Sequence, residues 1–147
     1  MPPVINPYLV SNFRVEIGSI ASATFSEVHG LDVSIDIVDY RTGTSPQSTA
    51  EKLPGLARYP NITLKRGFTQ NTDLWNWVKN ILDGVSDKRS IAIVLQDAQH
   101  NDVLRWNVQN AWPCRWSGPP LNAGSSDVAF ETVEICHEGI DLAVVSS

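Results

Sequence analysis

The chain has 147 residues, of which 42% are hydrophobic and 18% are charged, and its formal net charge is -5. This hydrophobic content excludes a disordered chain, and the acidic balance excludes a general nucleic-acid binder, which needs basic side chains against phosphates. The length fits one domain over residues 1–147, and no apolar run reaches the length of a membrane-spanning helix.

The N-terminal segment 1–10 contains three prolines and is predicted to form an extended arm. It lacks the charged and apolar regions of a Sec signal peptide, so we expect the protein to be made and folded in a bacterial cytoplasm. Two cysteines, Cys114 and Cys136, are too few for a disulfide framework and are expected to be reduced there.

The first half of the chain is predicted to be rich in strands. Apolar and polar residues alternate in SNFRVEI, residues 11–17, and a short strand is predicted over 21–26. The alternation is clearest in GLDVSIDIVDY, residues 30–40, where four apolar side chains share one face: Leu31, Val33, Ile35 and Ile37. The phase slips by one residue at Val38, which predicts a β-bulge.

A long loop is predicted over residues 41–60, which are rich in Thr, Ser, Gly and Pro. Structureless segments of this length are uncommon in a compact domain unless they have a function. Within it, Pro54 and Gly55 are predicted to form a fixed turn, since proline presets its φ and glycine tolerates positive φ. The strand NITLKRG follows, so KLPGLARYPNITLKRG, residues 52–67, reads as a basic loop that leads into a strand.

One helix is predicted, over about residues 72–83. Six apolar residues follow helical spacing there: Leu74, Trp75, Trp77, Val78, Ile81 and Leu82. Asn71 or Thr72 is the predicted N-cap, and Gly84 ends the helix. Trp75 and Trp77 lie about 200° apart on such a helix, so one of them is expected at its margin.

Strands resume after the helix. RSIAIVLQD, residues 89–97, is apolar on both faces in its middle and is predicted to be covered on both sides. This strand is predicted to form a hairpin with DVLRWNVQNAW, residues 102–112. A last strand is predicted in DVAFETVEICHEG, residues 127–139. The predicted fold is mainly β: a two-sheet, barrel-like sandwich with one flanking helix.

No convincing catalytic constellation is visible. Acidic, thiol and imidazole groups gather near one strand end, at Glu131, Glu134, Cys136, His137 and Glu138. Neighbours in a strand point to opposite faces, so a Cys136 nucleophile with a His137 base fails on geometry. No zinc-ligand spacing or phosphate-binding glycine loop appears. We therefore expect no enzyme activity, no catalytic metal and no cofactor, and we rank a small hydrolase lowest among the alternatives.

The five tryptophans leave a second reading open. Tryptophan is enriched at protein interfaces, but a row of exposed tryptophans is also typical of carbohydrate-binding β-sandwich modules. A monomeric carbohydrate-binding module is therefore the alternative to a structural assembly protein.

Several segments, in order along the chain, resemble the tail tube proteins of contractile phages and contractile injection systems. They are FSEVHGLDVSIDIVDYRTG (25–43), KLPGLARYPNITLKRG (52–67), the Leu74–Trp77 helix start, NAWP (110–113) and LNAGSSDVAFETVEICHEG (121–139). The family is similar in fold to the haemolysin-coregulated protein of type VI secretion. The resemblance implies hexameric rings that stack head to tail into a hollow tube inside a contractile sheath, with baseplate or spike and tube-terminating proteins at its ends and cargo in its lumen.

The resemblance also implies roles for particular residues. Ring stacking needs two different, complementary surfaces. The expected contacts with other subunits centre on loop 41–60 and the strand after it: Arg41, Glu51, Lys52, Leu53, Pro54, Leu56, Arg58, Tyr59, Lys65 and Arg66. The basic members are expected to meet acids of a neighbouring subunit. The expected channel-facing residues are Asp32, Ser34, Asp36, Arg105, Asn107 and Gln109. The particle is expected to assemble in the cytoplasm and to act outside the cell after release.

Overall fold

The computed structural model describes residues 6–18, 20–41, 43 and 50–145. The predicted arm is described from residue 6 onward, and 44–49 of the predicted loop lie outside the described residues. The elements are, in chain order, β1 (Phe13–Ile17), β2 (Ile20–Ala23), β3 (Glu27–His29), β4 (Ser34–Tyr40), β5 (Glu51–Arg58), β6 (Ile62–Gly67), α1 (Asp73–Leu82), β7 (Arg89–Gln96), β8 (Asp102–Ser117), β9 (Phe130–Cys136) and β10 (Gly139–Val144).

The long strand β8 connects the two layers of the sandwich. Its first part pairs with β7 and β10, while its second part, from Trp112, pairs with β9. Asn110 stands between them with a φ of 51°, in the left-handed region that re-aims a strand. The order β2-β1-β7-β8-β9-β6-β3 therefore folds over on itself. This confirms the predicted mainly β sandwich with one helix, and the described strands close no barrel.

The core lies between the two halves of this folded sheet. Alternate residues of β1 and β7 face alternate residues of β6 and β9, as period-2 patterning requires. Fully buried members are Val15, Ile17, Ile91 and Ile93 from one layer, and Ile62, Leu64, Val133 and Ile135 from the other. The prediction that the middle of RSIAIVLQD is covered on both sides is confirmed, since Ile91 to Val94 are all buried.

The helix prediction is confirmed to within one residue at each end. Leu74 and Trp77 are buried, whereas Trp75 is 39% exposed at the margin. Asn71, not Thr72, supplies the N-terminal acceptor, because its Oδ1 accepts the Asp73 N–H at 3.0 Å and Thr72 makes no side-chain cap. Gly84 follows the last turn with a φ of 82°.

The predicted loop over 41–60 is wrong in its second half. Residues 51–58 form β5, which pairs antiparallel with β4 in a separate two-stranded sheet. Proline is tolerated at Pro54 because this strand has an open edge, where an N–H is not needed. Gly55 has no positive φ, so the predicted Pro54–Gly55 turn is absent. The segment between β4 and β5 is therefore 41–50, and KLPGLAR is itself part of a strand.

Candidate assembly surfaces

The hairpin of β4 and β5 exposes a large apolar surface. It pairs with no other strand of the described residues. Its exposed large apolar side chains, with the residue before β4, are Val33, Ile35, Ile37, Val38, Tyr40, Leu53 and Leu56. An isolated two-stranded hairpin is marginally stable in water, and contiguous exposed apolar residues mark interaction sites. Val33, Ile35 and Ile37 are all exposed, so no segment among the described residues covers the apolar face that the sequence predicted.

A β-bulge bends the hairpin. Ile35 lies opposite Ala57 and Ile37 lies opposite Pro54, so three steps along β5 match two along β4. The extra residue is therefore in β5, at Gly55 or Leu56, and not in β4 as the sequence phase indicated. A Cβ on Gly55 would lie 3.0 Å from the backbone oxygen of Asp36, so glycine permits the close approach of the two strands.

One ion pair of the hairpin forms within the chain. Arg58 donates from Nε to both carboxylate oxygens of Asp36, at 2.8 and 2.9 Å. This hydrogen bond lowers the pKa of Asp36 and raises that of Arg58. Lys52 lies opposite Asp39 across the strands. The expectation that Arg58 meets an acid of a neighbouring subunit is therefore not supported by its geometry, since its partner is across its own hairpin.

The hairpin joins the sandwich at a narrow neck, formed by Gly30 at its entry and Asn61 at its exit. Gly30 has a φ of 101°, and a Cβ there would overlap the carbonyl oxygen of Asn61. Leu31 packs against the core, and Tyr59 stacks at a tilt on His137 with ring centroids 5.7 Å apart. Both ends of the hairpin are thus fixed to the sandwich.

Lys65 and Arg66 do not belong to the hairpin. Lys65 lies on β6, where Nζ is 3.5 Å from Glu27 and 4.6 Å from the centroid of the Phe130 ring. Arg66 is 4% exposed and forms a buried ion pair with Glu131. Strand alternation turns Arg66 into the interior, so in this chain its side chain faces Glu131 and not the outer surface.

The buried pair organises the interior beside the helix. Glu131 also accepts a hydrogen bond from the Trp116 indole at 3.1 Å, and Arg66 donates to the Asn71 carbonyl at 3.2 Å. A buried charge is tolerated only when it is paired and hydrogen-bonded, and both conditions are met here. The pair therefore connects β6 and β9 to the residue that starts the helix.

A polar face covers the outer side of the layer formed by β1, β7 and β8. Arg14 binds Asp102 through two hydrogen bonds of 2.8 and 3.0 Å and lies 3.0 Å from Glu16. Arg105 lies 3.3 Å from Glu16 and donates to Asn107 at 2.9 Å. This face holds three of the predicted channel residues, Arg105, Asn107 and Gln109, because they alternate along β8.

The remaining predicted channel residues lie elsewhere. Ser34 and Asp36 belong to β4 of the hairpin, and Asp32 comes just before it. The two groups of predicted channel residues thus occupy different parts of the molecule. Arg14, Glu16 and Asp102 were not predicted, although the alternation of SNFRVEI already placed Arg14 and Glu16 on one polar face. Their cross-strand pairing with β8 requires the register, which one strand does not reveal.

An apolar groove of about 340 Å³ lies at the end of the sandwich near the hairpin. Its apolar lining comes from residues 8–10, from β1, β3, β7 and β8, and from Leu31 between β3 and β4. The residues are Tyr8, Leu9, Val10, Phe13, Val28, Leu31, Ile93, Leu95 and Trp106. Tyr8, Leu9 and Val10 are themselves exposed, so apolar surface continues onto the N-terminal segment. Sequence patterning indicated apolar strand faces here but gave no sign that one end stays open.

The acidic, thiol and imidazole groups of ETVEICHEG each have a structural partner. Glu134 accepts from Asn61 at 2.8 Å, and His137 Nε2 lies 3.1 Å from the Pro60 carbonyl. Asn110 hydrogen-bonds Glu138 at 2.7 Å, which together with Lys88 lowers the pKa of that carboxyl. Within the described ranges, no three His, Cys, Asp or Glu side chains are grouped to hold a metal ion.

The two cysteines lie close to the neck. The Cys114 thiol donates to the Glu134 carbonyl at 3.4 Å and accepts from the Asn61 amide at 3.7 Å. Burial raises the pKa of Cys114, with a further increase from the charge of Glu134, while a hydrogen bond with the Cys136 side chain lowers it in part. Burial also raises the pKa of Cys136, followed by the charge of Cys114. Each of the two thiols thus influences the pKa of the other.

The tryptophans form no exposed row. Trp77 is buried, Trp106, Trp112 and Trp116 are partly buried, and only Trp75 of the five is exposed. Trp75 meets Trp116 edge to face, with ring centroids 5.0 Å apart. A carbohydrate-binding platform needs flat exposed rings, so this arrangement does not favour that alternative.

No helix of the described residues is long and apolar enough to cross a membrane.

Comparison with known proteins decides the family. The model of the T4-like virus tail tube protein gp19 family matches residues 10–141. The chain belongs to this tail tube protein family. The match spans β1 to β9, including the whole hairpin, and ends within β10, and it confirms the resemblance seen in the sequence. No curated protein sequence matches the chain significantly.

Solved structures agree with this family. A chain from the sheath–tube complex of an extracellular contractile injection system, PVC, in the extended state is 31% identical, with a TM-score of 0.84 over 95% of this chain and 93% of that one. A chain from the tube-terminating cap of the anti-feeding prophage is 28% identical, with a TM-score of 0.87 over 99% and 96%. Hcp1 from Flavobacterium johnsoniae shares the fold alone, at 14% identity and a TM-score of 0.56 over 92% and 98%.

Proposed function

We propose that this tail tube protein forms hexameric rings that stack head to tail into the hollow inner tube of a contractile injection machine or phage tail. The exposed hairpin carries this proposal. Two strands with apolar residues on both faces and two unpaired edges are unfavourable in water when the subunit is alone. A neighbouring subunit in a ring or stack covers such a surface, and a rigid neck presents it in one direction.

The apolar groove and the hairpin are complementary in chemistry and lie at different places on the chain. The hairpin offers protruding residues such as Ile37 and Leu56, which are 66% and 75% exposed. The groove offers an open apolar lining. Head-to-tail association needs two such different patches, because identical patches would pair the subunits face to face and close the assembly at two.

The polar face is our candidate for the channel lining. Its arginines are paired with Glu16 and Asp102, so little unpaired positive charge is left for passing cargo to bind. Arg105, Asn107 and Gln109 lie on it, and we add Arg14, Glu16 and Asp102. The hairpin residues Asp32, Ser34 and Asp36 are assigned to subunit contacts in this arrangement.

The partners that follow from a tube are a contractile sheath around it, a baseplate or spike at one end and a terminating protein at the other. The tube has no chemistry to perform, so we propose no enzyme activity. We propose assembly in the bacterial cytoplasm as part of a particle, which acts outside the cell after release.

The experiment that tests this function is electron microscopy of the purified chain beside a hairpin variant. Ile37→Lys with Leu56→Lys places two charges on the exposed apolar surface, at side chains that are mostly open to solvent. We expect tubes or rings from the wild type and dispersed subunits from the variant, with the same circular dichroism spectrum.

The matched control is Leu121→Lys with Val128→Lys. These side chains are 89% and 71% exposed, and they lie outside the hairpin and the groove. The control should assemble like the wild type. Full-length tubes from the hairpin variant would contradict the hairpin contact, and a wild type that stays monomeric at high concentration in the presence of preformed tube ends would contradict the tube.

A further inference from the structure

We propose that Cys114 and Cys136 are an oxidisable thiol pair that forms a disulfide between strands β8 and β9, beside the neck of the hairpin. They are the two cysteines of the chain. The tube function assigns them no role, and neither belongs to the hydrophobic core.

The bulge in β8 directs the Cys114 side chain towards β9, the strand that carries Cys136. Cys136 lies opposite Trp112, and the register shifts between Pro113 and Arg115, so Cys114 is the extra residue of β8. Its thiol reaches the Glu134 carbonyl at 3.4 Å and therefore lies over β9, the strand that carries Cys136. The influence that each thiol has on the pKa of the other agrees with this proximity.

Asn61, just before β6, is close to both cysteines. It precedes Ile62, whose partner in the sheet is Ile135, so Asn61 is next to Cys136 across β6 and β9. Its amide bonds both Glu134, at 2.8 Å, and the sulfur of Cys114, at 3.7 Å. Asn61, the residue at which the hairpin returns to the sandwich, thus contacts the Cys114 sulfur and is the cross-strand neighbour of Cys136.

The co-reactant is a low-molecular-weight disulfide. The Cys114 thiolate, which is the exposed one, attacks a sulfur of that disulfide and releases one small thiolate, leaving a mixed disulfide on Cys114. The Cys136 thiolate then attacks the Cys114 sulfur, forms the bond between the strands and releases the second small thiolate. The two protons of the cysteines pass to solvent, and the small disulfide is reduced to two thiols as the pair is oxidised.

The bond would tie β8 to β9 where the neck is anchored. Small thiols in the cytosol keep such cysteine pairs reduced, whereas a particle released from the cell is no longer exposed to them. This timing of oxidation rests on the proposed function as an extracellular tube. The disulfide therefore forms after release and holds the base of the hairpin in the assembled tube.

Oxidised glutathione added to the purified full chain, followed by acid quenching and intact-mass measurement, tests the pair. The wild type should lose two hydrogens and retain no glutathione, and digestion should yield one peptide that joins Cys114 to Cys136. Cys114→Ser and Cys136→Ser should each retain a single glutathione. The oxidised wild type should melt about 5–10 °C higher than the reduced one. Between pH 7 and 8 the rate should rise about tenfold, because both thiols are mostly protonated there.

Three results would overturn the proposal: two glutathiones on the wild-type chain, chain-to-chain disulfides through Cys114, or thiols that stay unreacted at high pH. All are read on the soluble chain and need no tubes. A failed disulfide thus leaves the tube function standing, and a failed tube leaves the disulfide result standing.

Discussion

A methyl group on Gly30 would overlap the backbone carbonyl oxygen of Asn61 and lie 3.1 Å from the Cα of Ile62. The two residues are the entry and exit of the β4–β5 hairpin, so the direction in which the hairpin projects depends on the absence of a side chain at Gly30. Its φ of 101° is also one that other residues rarely adopt.

Gly30→Ala should therefore disturb both stability and assembly. We expect a loss of about 1–3 kcal/mol in the free energy of unfolding, from backbone strain and the overlap with Asn61. Urea unfolding measures the first effect, and tube counts by microscopy measure the second. Gly67→Ala is the control, since nothing lies within 4 Å of its Cβ position and its φ is not positive. Equal stability of the two variants would contradict the account of the neck.

The buried pair of Arg66 and Glu131 predicts a much larger effect. Arg66→Ala leaves Glu131 charged and buried, and we expect it to cost about 3–5 kcal/mol. Lys65→Ala, at the preceding position of the same strand, removes a partly exposed charge and should cost less than about 1 kcal/mol. Denaturant unfolding of both variants measures the difference, and similar costs would show that Arg66 is not the interior residue described here.

The polar face predicts a pH dependence. The hydrogen bond from Arg14, followed by that from Gln96, lowers the pKa of Asp102 below its ordinary value of 3.8. A carboxyl with a lowered pKa stabilises the fold above its unfolded pKa and loses that contribution as the pH falls through the folded value. Asp102→Asn should thus cost up to about 1 kcal/mol at pH 7, since the pair is partly exposed and screened.

The difference between Asp102→Asn and the wild type should shrink as the pH falls below about 4 and vanish once Asp102 is protonated. Unfolding curves at several pH values measure it. A difference that stays constant down to pH 2 would show that charge at Asp102 is not the cause.

The hairpin predicts weak salt sensitivity of the assembled tube. Arg58 is paired with Asp36 inside the hairpin, and the exposed surface around them is mostly apolar. Salt screens exposed ion pairs between subunits but strengthens, or leaves unchanged, the burial of apolar groups. Tubes should remain intact from about 0.1 to 1 M sodium chloride, as sedimentation would report. If the tubes dissolve into subunits at high salt, ion pairs between subunits, and not apolar burial, hold the tube together.

The sequence predicted the regular parts of the fold because local patterns determine them. The helix was correct because Leu74 and Trp77 recur with helical spacing. β5 was missed because Pro54 and Gly55 argue against a strand, and only the open edge and the bulge accommodate them. The burial of Arg66 was not predicted because it depends on pairing with Glu131, which is distant in sequence and meets Arg66 only when β6 and β9 pair.

The central claim is that the hairpin of one subunit is covered by another in a hollow tube. The most direct test is helical reconstruction by cryo-electron microscopy of tubes grown from the purified wild-type chain. We predict six-fold rings in which Ile37 and Leu56 are buried against a neighbouring subunit and Arg105 faces the lumen. Tubes in which the hairpin remains in solvent, or assemblies that enclose no channel, would contradict the account.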